Sequence, residues 1–171
     1  MIKVWENMGK SSKDDLTNLK MLLMLGCRYE EAIWIQQHQS CFDKIGRNVE
    51  ISTKKVKVVH KKRNIRLSNY AMSEIGHFFT VDKYLPNAHT FDKKLKRLAI
   101  LAGLDRGDLG ISVKMLRKTY ESWLFYYYKG CDMHILTSQG HTKTVALEHY
   151  VGIPFNEDDK KLMREFVEGW I

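Results

Sequence analysis

The sequence has little proline and no long apolar run. It contains 2 prolines and 11 glycines among 171 residues, which argues against long linkers and favours one domain with a short appendage at most. No stretch approaches the ~20 apolar residues that a membrane-spanning helix needs. The first residues, 1–12, are polar and charged and do not resemble a secretory signal peptide. We therefore expect a soluble, intracellular, cytoplasmic protein.

Cysteine is also scarce. The three cysteines, Cys27, Cys41 and Cys131, are odd in number and form no C-x-x-C pair. Cys131 and His134 have the spacing of half a zinc site, but no second half is present. We therefore expect reduced thiols, no metal site and no other cofactor.

Basic residues are in excess. Lys and Arg number 28 against 20 Asp and Glu, for a net charge of +8, which favours a polyanionic partner, either nucleic acid or a membrane surface. Charged edges can protect a small sheet from aggregation, but so dense a run of one sign is better explained by a phosphate backbone. The densest run comprises Lys54, Lys55, Lys57, Lys61, Lys62, Arg63 and Arg66.

Apolar periodicity predicts a mainly α protein. Leu16, Leu19 and Leu23 recur at helical spacing, and Gly26 suits the left-handed residue that ends such a helix. Asn69 is predicted to cap a later helix, and Asn156 a closing helix. The first predicted helix starts within 11–15 and ends at Gly26. The others are 28–35, 69–79, 90–102, 113–129, 132–138 and 156–170, with a last turn at 144–150. In the closing helix, a stripe of Leu162, Phe166 and Trp170 is predicted to face the core.

Period-2 patterns interrupt the helices between residues 48 and 68. They predict short strands at 48–52, 55–59 and 64–67, joined at 53–54 and 60–63. A small three-stranded antiparallel sheet is the simplest arrangement of these strands. The predicted fold is therefore mainly α with one small sheet that carries the basic run.

Several residues suited to phosphate chemistry occur in the rest of the chain. Arg28 follows the glycine turn between two helices, and Arg117 and His141 can hold an anionic phosphate. Tyr150, nine positions after His141, is an oxygen nucleophile that can attack such a phosphate. Tyr126, Tyr127 and Tyr128 are better explained as packing aromatics of their helix.

These residues, in this order, resemble the catalytic domain of the tyrosine recombinase (phage integrase) superfamily. The resemblance covers residues 16 to 150, and the matching segments are Leu25-Gly26-Cys27-Arg28 with Glu31, Leu116-Arg117, Gly140-His141 and Tyr150. Lys114 replaces the histidine of a His-x-x-Arg box, a form associated with integrases of archaeal viruses and plasmids of the fusellovirus type. Gln139 replaces the leucine of a Leu-Gly-His motif.

The resemblance implies a catalytic set of Arg28, Lys61, Lys114, Arg117, His141 and Tyr150. The two arginines and His141 would bind the scissile phosphate, Tyr150 would form a 3′-phosphotyrosyl intermediate, and a hairpin lysine would protonate the leaving 5′ oxygen. Lys61 is our choice for that lysine, with Lys57 or Lys54 in its place if the hairpin turns earlier. Lys114 is expected to act as a further phosphate contact.

The resemblance also implies partners and domain boundaries. Double-stranded DNA carrying attachment sites is the expected partner, with a homotetrameric synapse on DNA and no membrane contact. Residues 1–155 would be the catalytic domain, and 156–171 a helical tail that docks on its own domain or in trans on a neighbouring protomer. The N-terminal DNA-clamping domain of full-length integrases is not in this sequence, so we expect a catalytic part or a natural short form.

Two other functions fit the same residues. A type IB topoisomerase shares the tyrosine chemistry but relaxes supercoils without a second DNA site. A basic DNA-binding accessory protein with a degenerate active site would keep the charge and lose the chemistry. A recombinase is favoured because the chain keeps both arginines, His141 and Tyr150. The accessory protein is favoured only by Lys114, which stands where the family has a histidine.

Overall fold

The computed structural model describes residues 13–52, 62–101, 103, 111–140 and 156–171. Within them the protein is mostly helical. The helices are α1 (Lys13–Leu25), α2 (Tyr29–Gln37), α3 (Asn69–Phe79), α4 (Ala88–Leu101), α5 (Val113–Tyr127), α6 (Asp132–Gln139) and α7 (Glu157–Val167). These bounds confirm the helices predicted from periodicity, except that the predicted turn at 144–150 lies outside the described residues.

The sheet has three antiparallel strands, as predicted, but not the three predicted strands. Its order is β1 (Phe42–Asp43), β2 (Asn48–Ser52) and β3 (Lys62–Arg66). β2 pairs directly with β3 in a register that sets Val49 opposite Ile65. The two-residue β1 was not predicted, and 55–59 lies outside the described residues.

One boundary of the sheet corrects the sequence analysis. Lys62 and Arg63 were assigned to a turn, yet both lie in β3. Arg63 and Ile65 alternate with exposed residues and point to the buried face, because side chains two apart in a strand share one face. A basic residue therefore points into the protein at a position predicted to be a solvent-exposed turn.

The core is formed where α1 packs against α3 and α5. Helix α1 buries most of its second half, and Met21, Met24 and Leu25 are fully enclosed. Tyr120 and Leu124 of α5 and Phe78 of α3 complete this apolar centre. Because α1 is central and its end leads directly to Arg28, the core fixes the position of that arginine.

Two local predictions, a helix cap and one member of a core stripe, were each wrong by one residue. Helix α3 is capped by Ser68, whose Oγ accepts a hydrogen bond from the backbone N–H of Ala71, and not by Asn69. Of the stripe predicted for the closing helix, Trp170 is buried and Phe166 packs against the core, but Leu162 is 48% exposed and the buried residues of α7 are Met163 and Val167. Asn156 does cap α7, through a reciprocal pair of hydrogen bonds with Asp159.

The C-terminal tail lies on its own chain in this structure. The hydroxyl of Tyr128 donates to the Val167 carbonyl at 2.6 Å, and that of Tyr127 donates to the Lys160 carbonyl. Trp170 is buried beside the Tyr128 ring, with the ring centroids 5.7 Å apart. Docking of this tail on a neighbouring protomer stays a prediction.

Among the described residues, no helix combines the length and the apolar character needed to cross a membrane.

Candidate active site

Arg28 lies at the junction of α1 and α2. Gly26 ends α1 with a φ of 54°, and a Cβ at this position would lie 2.6 Å from Oε1 of Gln139. The backbone conformation therefore favours glycine there, and any larger residue would also displace the end of the Gln139 side chain. The extended backbone of Arg28 then leads into α2, and its side chain is 37% exposed.

Glu31 orients Arg28. Its Oε2 accepts the backbone N–H of Arg28 at 2.8 Å, and its Oε1 accepts Nη1 of the same residue at 3.1 Å. Oε2 also accepts Nη2 of Arg63 at 2.7 Å. One carboxylate thus fixes two guanidinium groups, and this arrangement accounts for a glutamate three residues after the arginine.

Arg63 is the most buried of the three arginines in the site. Its side chain is only 5% exposed, and burial lowers the pKa of its guanidinium, while Glu31 opposes that shift. Besides Glu31, it binds the backbone carbonyl of Ser138 through Nη1. The Oγ of Ser138 in turn accepts the backbone N–H of Arg66 at 3.2 Å, so β3 and the end of α6 are joined at two points.

Arg117 binds the next carbonyl of the same helix end. Its Nη2 donates to the Gln139 carbonyl, and its Nε donates to Oε1 of Glu121 at 2.9 Å. Carbonyl groups at a helix C-terminus have no partners inside the helix and carry partial negative charge. Arg63 and Arg117 therefore bind consecutive carbonyls that favour cations.

Gly140 ends α6 in the left-handed conformation, with a φ of 69°. A Cβ on this residue would lie 3.0 Å from Nε of Arg63. His141 follows directly in the sequence. Gly140, the residue that directly precedes His141, therefore packs against the Arg63 side chain.

The structure connects some of the predicted site residues and does not describe others. Arg28 and Arg117 are joined through Glu31, Arg63 and the last residues of α6. Lys114 is exposed on the first turn of α5. The predicted residues outside the described part of the chain are Lys54, Lys57, Lys61, His141 and Tyr150.

Sequence reasoning missed the role of Arg63. We counted it among the basic residues of a DNA-facing turn, whereas it is buried between Glu31 and Ser138. The available signal was its alternation with Ile65 and Leu67, which places all three on one face. Glu121 was missed as well, although it follows Arg117 by one helical turn.

Cys27 is buried near Glu31, Arg63 and Arg117. Burial raises the pKa of its thiol to about 12, with a further rise from Glu31, and Arg63 and Arg117 act in the opposite direction. The thiol is therefore protonated at neutral pH and is not a nucleophile. In the described part of the chain, no three His, Cys, Asp or Glu side chains are grouped as metal ligands.

Comparison with known proteins identifies the fold. No family model matches the chain, and no curated protein matches it. Among solved structures, XerA recombinase aligns with 96% of this chain at a TM-score of 0.65 and 16% identity. The Tn1549 transposon integrase, solved with circular intermediate DNA, aligns with 96% at a TM-score of 0.67 and 14% identity.

A third structure, XerH recombinase bound to palindromic difH substrate in a post-cleavage complex, aligns with 96% of this chain at a TM-score of 0.64 and 17% identity. The fold is that of a tyrosine recombinase catalytic domain. The mainly helical fold with its small antiparallel sheet, expected from the sequence, is thereby confirmed. The alignment with this chain covers only part of each solved protein: 60% of the XerA chain, 63% of the Tn1549 integrase chain and 48% of the XerH chain.

Proposed function

We propose that this chain is the catalytic part of a site-specific DNA recombinase, an integrase that cuts and rejoins strands through a tyrosine. The observation that carries the proposal is the connected pair of arginines, Arg28 and Arg117, at the positions expected from the resemblance and in a tyrosine recombinase fold. Solved proteins of this fold include XerH, captured with its DNA after cleavage.

The chemistry explains why two arginines are needed. A DNA phosphodiester resists nucleophiles because it is anionic, so catalysis requires positive charge on its non-bridging oxygens. Guanidinium groups are planar, permanently charged and matched to phosphate geometry. Arg28, which is partly exposed and oriented by Glu31, is suited to this contact.

The remaining steps are assigned to residues outside the described part of the chain. Tyr150 Oη gives up its phenolic proton to water and attacks the phosphorus. The bond to the 5′ oxygen breaks, and the hairpin lysine, Lys61 in our assignment, gives that oxygen a proton. A 3′-phosphotyrosyl link results, so the energy of the broken bond is retained for religation to another strand. His141 adds a hydrogen bond to the phosphate, and Lys114 binds a neighbouring phosphate.

The proposal extends to the setting of the reaction. Double-stranded DNA is the substrate, and strand exchange requires a tetrameric synapse, in which the tail, 156–171, stays on its own domain or docks on a neighbouring protomer. The Lys114-x-x-Arg117 form of the second motif favours an integrase of an archaeal virus or plasmid. The protein would then act on DNA in the cytoplasm of its host.

A covalent-trapping experiment tests the function. Duplexes that bind the protein are selected from a randomised pool, rebuilt with a nick next to each phosphate in turn, and incubated with the wild-type chain. A strand that leaves as a short diffusible fragment cannot religate, so a recombinase accumulates a denaturant-resistant protein–DNA adduct. Tyr150→Phe removes the nucleophile and is expected to form none, while Tyr126→Phe is expected to react like wild type.

The result also separates the rival functions. The burial of Arg117 against Glu121 and the Gln139 carbonyl favours an accessory protein, because such an arginine is occupied by its own chain. An accessory protein gives no adduct on any selected duplex, and that result would overturn the proposal. A type IB topoisomerase gives the adduct and relaxes supercoiled plasmid, but does not exchange strands between two duplexes.

A further inference from the structure

Arg63 is held in two places at once. One arm of its guanidinium, Nη2, donates to Glu31, and the other, Nη1, donates to the carbonyl of Ser138. Glu31 belongs to the helix that begins at Arg28, and Ser138 lies three residues before His141. Arg63 therefore joins two segments that carry predicted phosphate ligands and are distant in sequence.

A purely stabilising role does not account for this arrangement. Burying an ion pair has a desolvation cost that often exceeds its Coulombic gain, and apolar residues of similar volume are frequently as stable. Here the cost is increased because Nε of Arg63 has no partner among the described residues. A buried arginine that leaves a donor unpaired is better explained by the position it imposes on other groups than by the stability it adds.

The contacts of Glu31 show how that position is transmitted. Its two carboxylate oxygens are divided between the guanidinium of Arg28 and the guanidinium of Arg63, at 3.1 Å and 2.7 Å. Arg63 is nearly enclosed, whereas Arg28 is partly exposed. The buried guanidinium of Arg63 therefore holds Glu31 in place, and Glu31 in turn orients Arg28, which is exposed enough to contact a ligand.

We propose that Arg63 is a positioning residue for strand cleavage, which aims Arg28 through Glu31 and fixes the turn before His141 through the Ser138 carbonyl. This inference rests on the proposed recombinase function. Arg63 itself touches neither DNA nor the reacting atoms, because its side chain is enclosed by Glu31 and α6.

Arg63→Lys is the informative substitution. Lysine keeps the positive charge beside Glu31, so the buried carboxylate stays paired. Its single ammonium cannot span Glu31 and Ser138 in the way a planar fork does. The variant is therefore expected to fold and to bind DNA like wild type, while Arg28 loses its orientation.

The test compares two substrates for single-turnover cleavage. One is a nicked duplex that the wild-type protein selected and cleaved, and the other is the same duplex with a methylphosphonate at the scissile position. A methylphosphonate carries no negative charge, so a correctly aimed Arg28 contributes much less to its cleavage. On the phosphodiester we expect Arg63→Lys to lower the cleavage rate by about 10- to 100-fold. On the methylphosphonate we expect a loss below about threefold.

Matched variants complete the experiment. Arg28→Ala is expected to show the same dependence on substrate charge, as is Glu31→Gln, which serves if Arg63→Lys fails to fold. Lys20→Gln is the control, because Lys20 is another largely buried cation that pairs with a glutamate between two helices, Glu74 at 3.7 Å. It is expected to lower the melting temperature and to leave both cleavage rates unchanged.

Failure of the positioning role and failure of the recombinase function give different results. If Arg63→Lys and Glu31→Gln lose the same factor on both substrates, or lose nothing, Arg63 is only structural and the inference is overturned. If the wild-type protein cleaves no selected duplex, the proposed function fails before Arg63 is tested. The two results cannot be confused, because the first requires a wild-type rate to compare with.

Discussion

At the scale of single residues, the two predicted catalytic arginines have different environments. Arg28 forms a partly exposed ion pair, whereas Arg117 is buried with Glu121. We expect Arg28→Ala to cost less than about 1 kcal/mol of unfolding free energy. Arg117→Ala removes the cation from a buried ion pair and is expected to cost about 3 to 5 kcal/mol.

Urea denaturation measures both values, and the adduct assay measures activity. Both variants are expected to lose adduct formation, Arg28→Ala while still fully folded. Arg117→Ala with Glu121→Ala is the matched control, since removing both charges restores part of the stability but not the activity. Equal stability losses for the two single variants would contradict the environments described here.

Cys27 predicts a dependence of stability on alkaline pH. The thiol ionises near pH 9 in the unfolded chain, but burial raises its folded pKa to about 12. As the pH rises through this window the unfolded state loses its proton first, so stability is unaffected below pH 9 and falls above it. One such proton contributes a slope of about 1.4 kcal/mol per pH unit.

Denaturant unfolding between pH 8 and pH 11 measures the slope. Cys27→Ala removes this titration and is expected to flatten the curve, although Cys41, whose pKa is raised to about 11 by burial, still contributes. An unchanged slope in Cys27→Ala would show that other groups control the alkaline limb.

At the scale of secondary-structure elements, helix α7 gives a clear contrast between neighbours. Met163 is 2% exposed and Leu162 is 48% exposed. Met163→Ala is expected to cost about 2 to 5 kcal/mol through lost burial and a cavity. Leu162→Ala is expected to stay within about 0.5 kcal/mol of wild type. The reverse order in thermal or urea unfolding would support the stripe predicted from the sequence.

The limits of sequence prediction are visible in the same elements. Helices with strong apolar periodicity, such as α1 and α5, were predictable because their spacing is a local property. A stripe through Met163 and Val167 fits the helical period as well as the predicted stripe of Leu162, Phe166 and Trp170. Leu162 was therefore wrongly placed in the core, although Phe166 packs against it and Trp170 is buried. Only packing against α3 and α5 decides between the two stripes.

The site was predictable in part. Arg28 and Arg117 were identified from motif order, whereas Arg63 was misplaced because a basic residue next to a basic turn has no local sign of burial. Its partners lie 32 and 75 positions away in sequence, and such contacts depend on how β3 and α6 meet. The short β1 was missed because two residues are too few for a periodic pattern.

At the scale of the whole molecule, the excess of basic residues predicts salt-dependent DNA binding. Lys62 and Arg66 are exposed on one face of β3, on either side of buried Arg63. If both contact phosphates, replacing them with glutamine is expected to reduce the slope of log affinity against log salt by about 2. Fluorescence anisotropy on a fixed duplex at several salt concentrations measures this slope.

Lys129 and Lys161 provide the control pair, because both are exposed and lie outside the basic run of the sheet. Their replacement by glutamine removes the same net charge and is expected to change the slope much less. Equal changes for the two pairs would mean that net charge, and not the sheet, determines binding.

The most direct measurement of the central claim is the identity of the residue that carries DNA in the trapped adduct. Trypsin is expected to release Thr144–Lys160, in which Tyr150 is the single tyrosine, so mass spectrometry of the nuclease-trimmed adduct locates the link without ambiguity. We expect a nucleotide joined through a 3′ phosphate to Tyr150 in this peptide. A nucleotide on Thr119–Lys129, which contains Tyr120, Tyr126, Tyr127 and Tyr128, would contradict it.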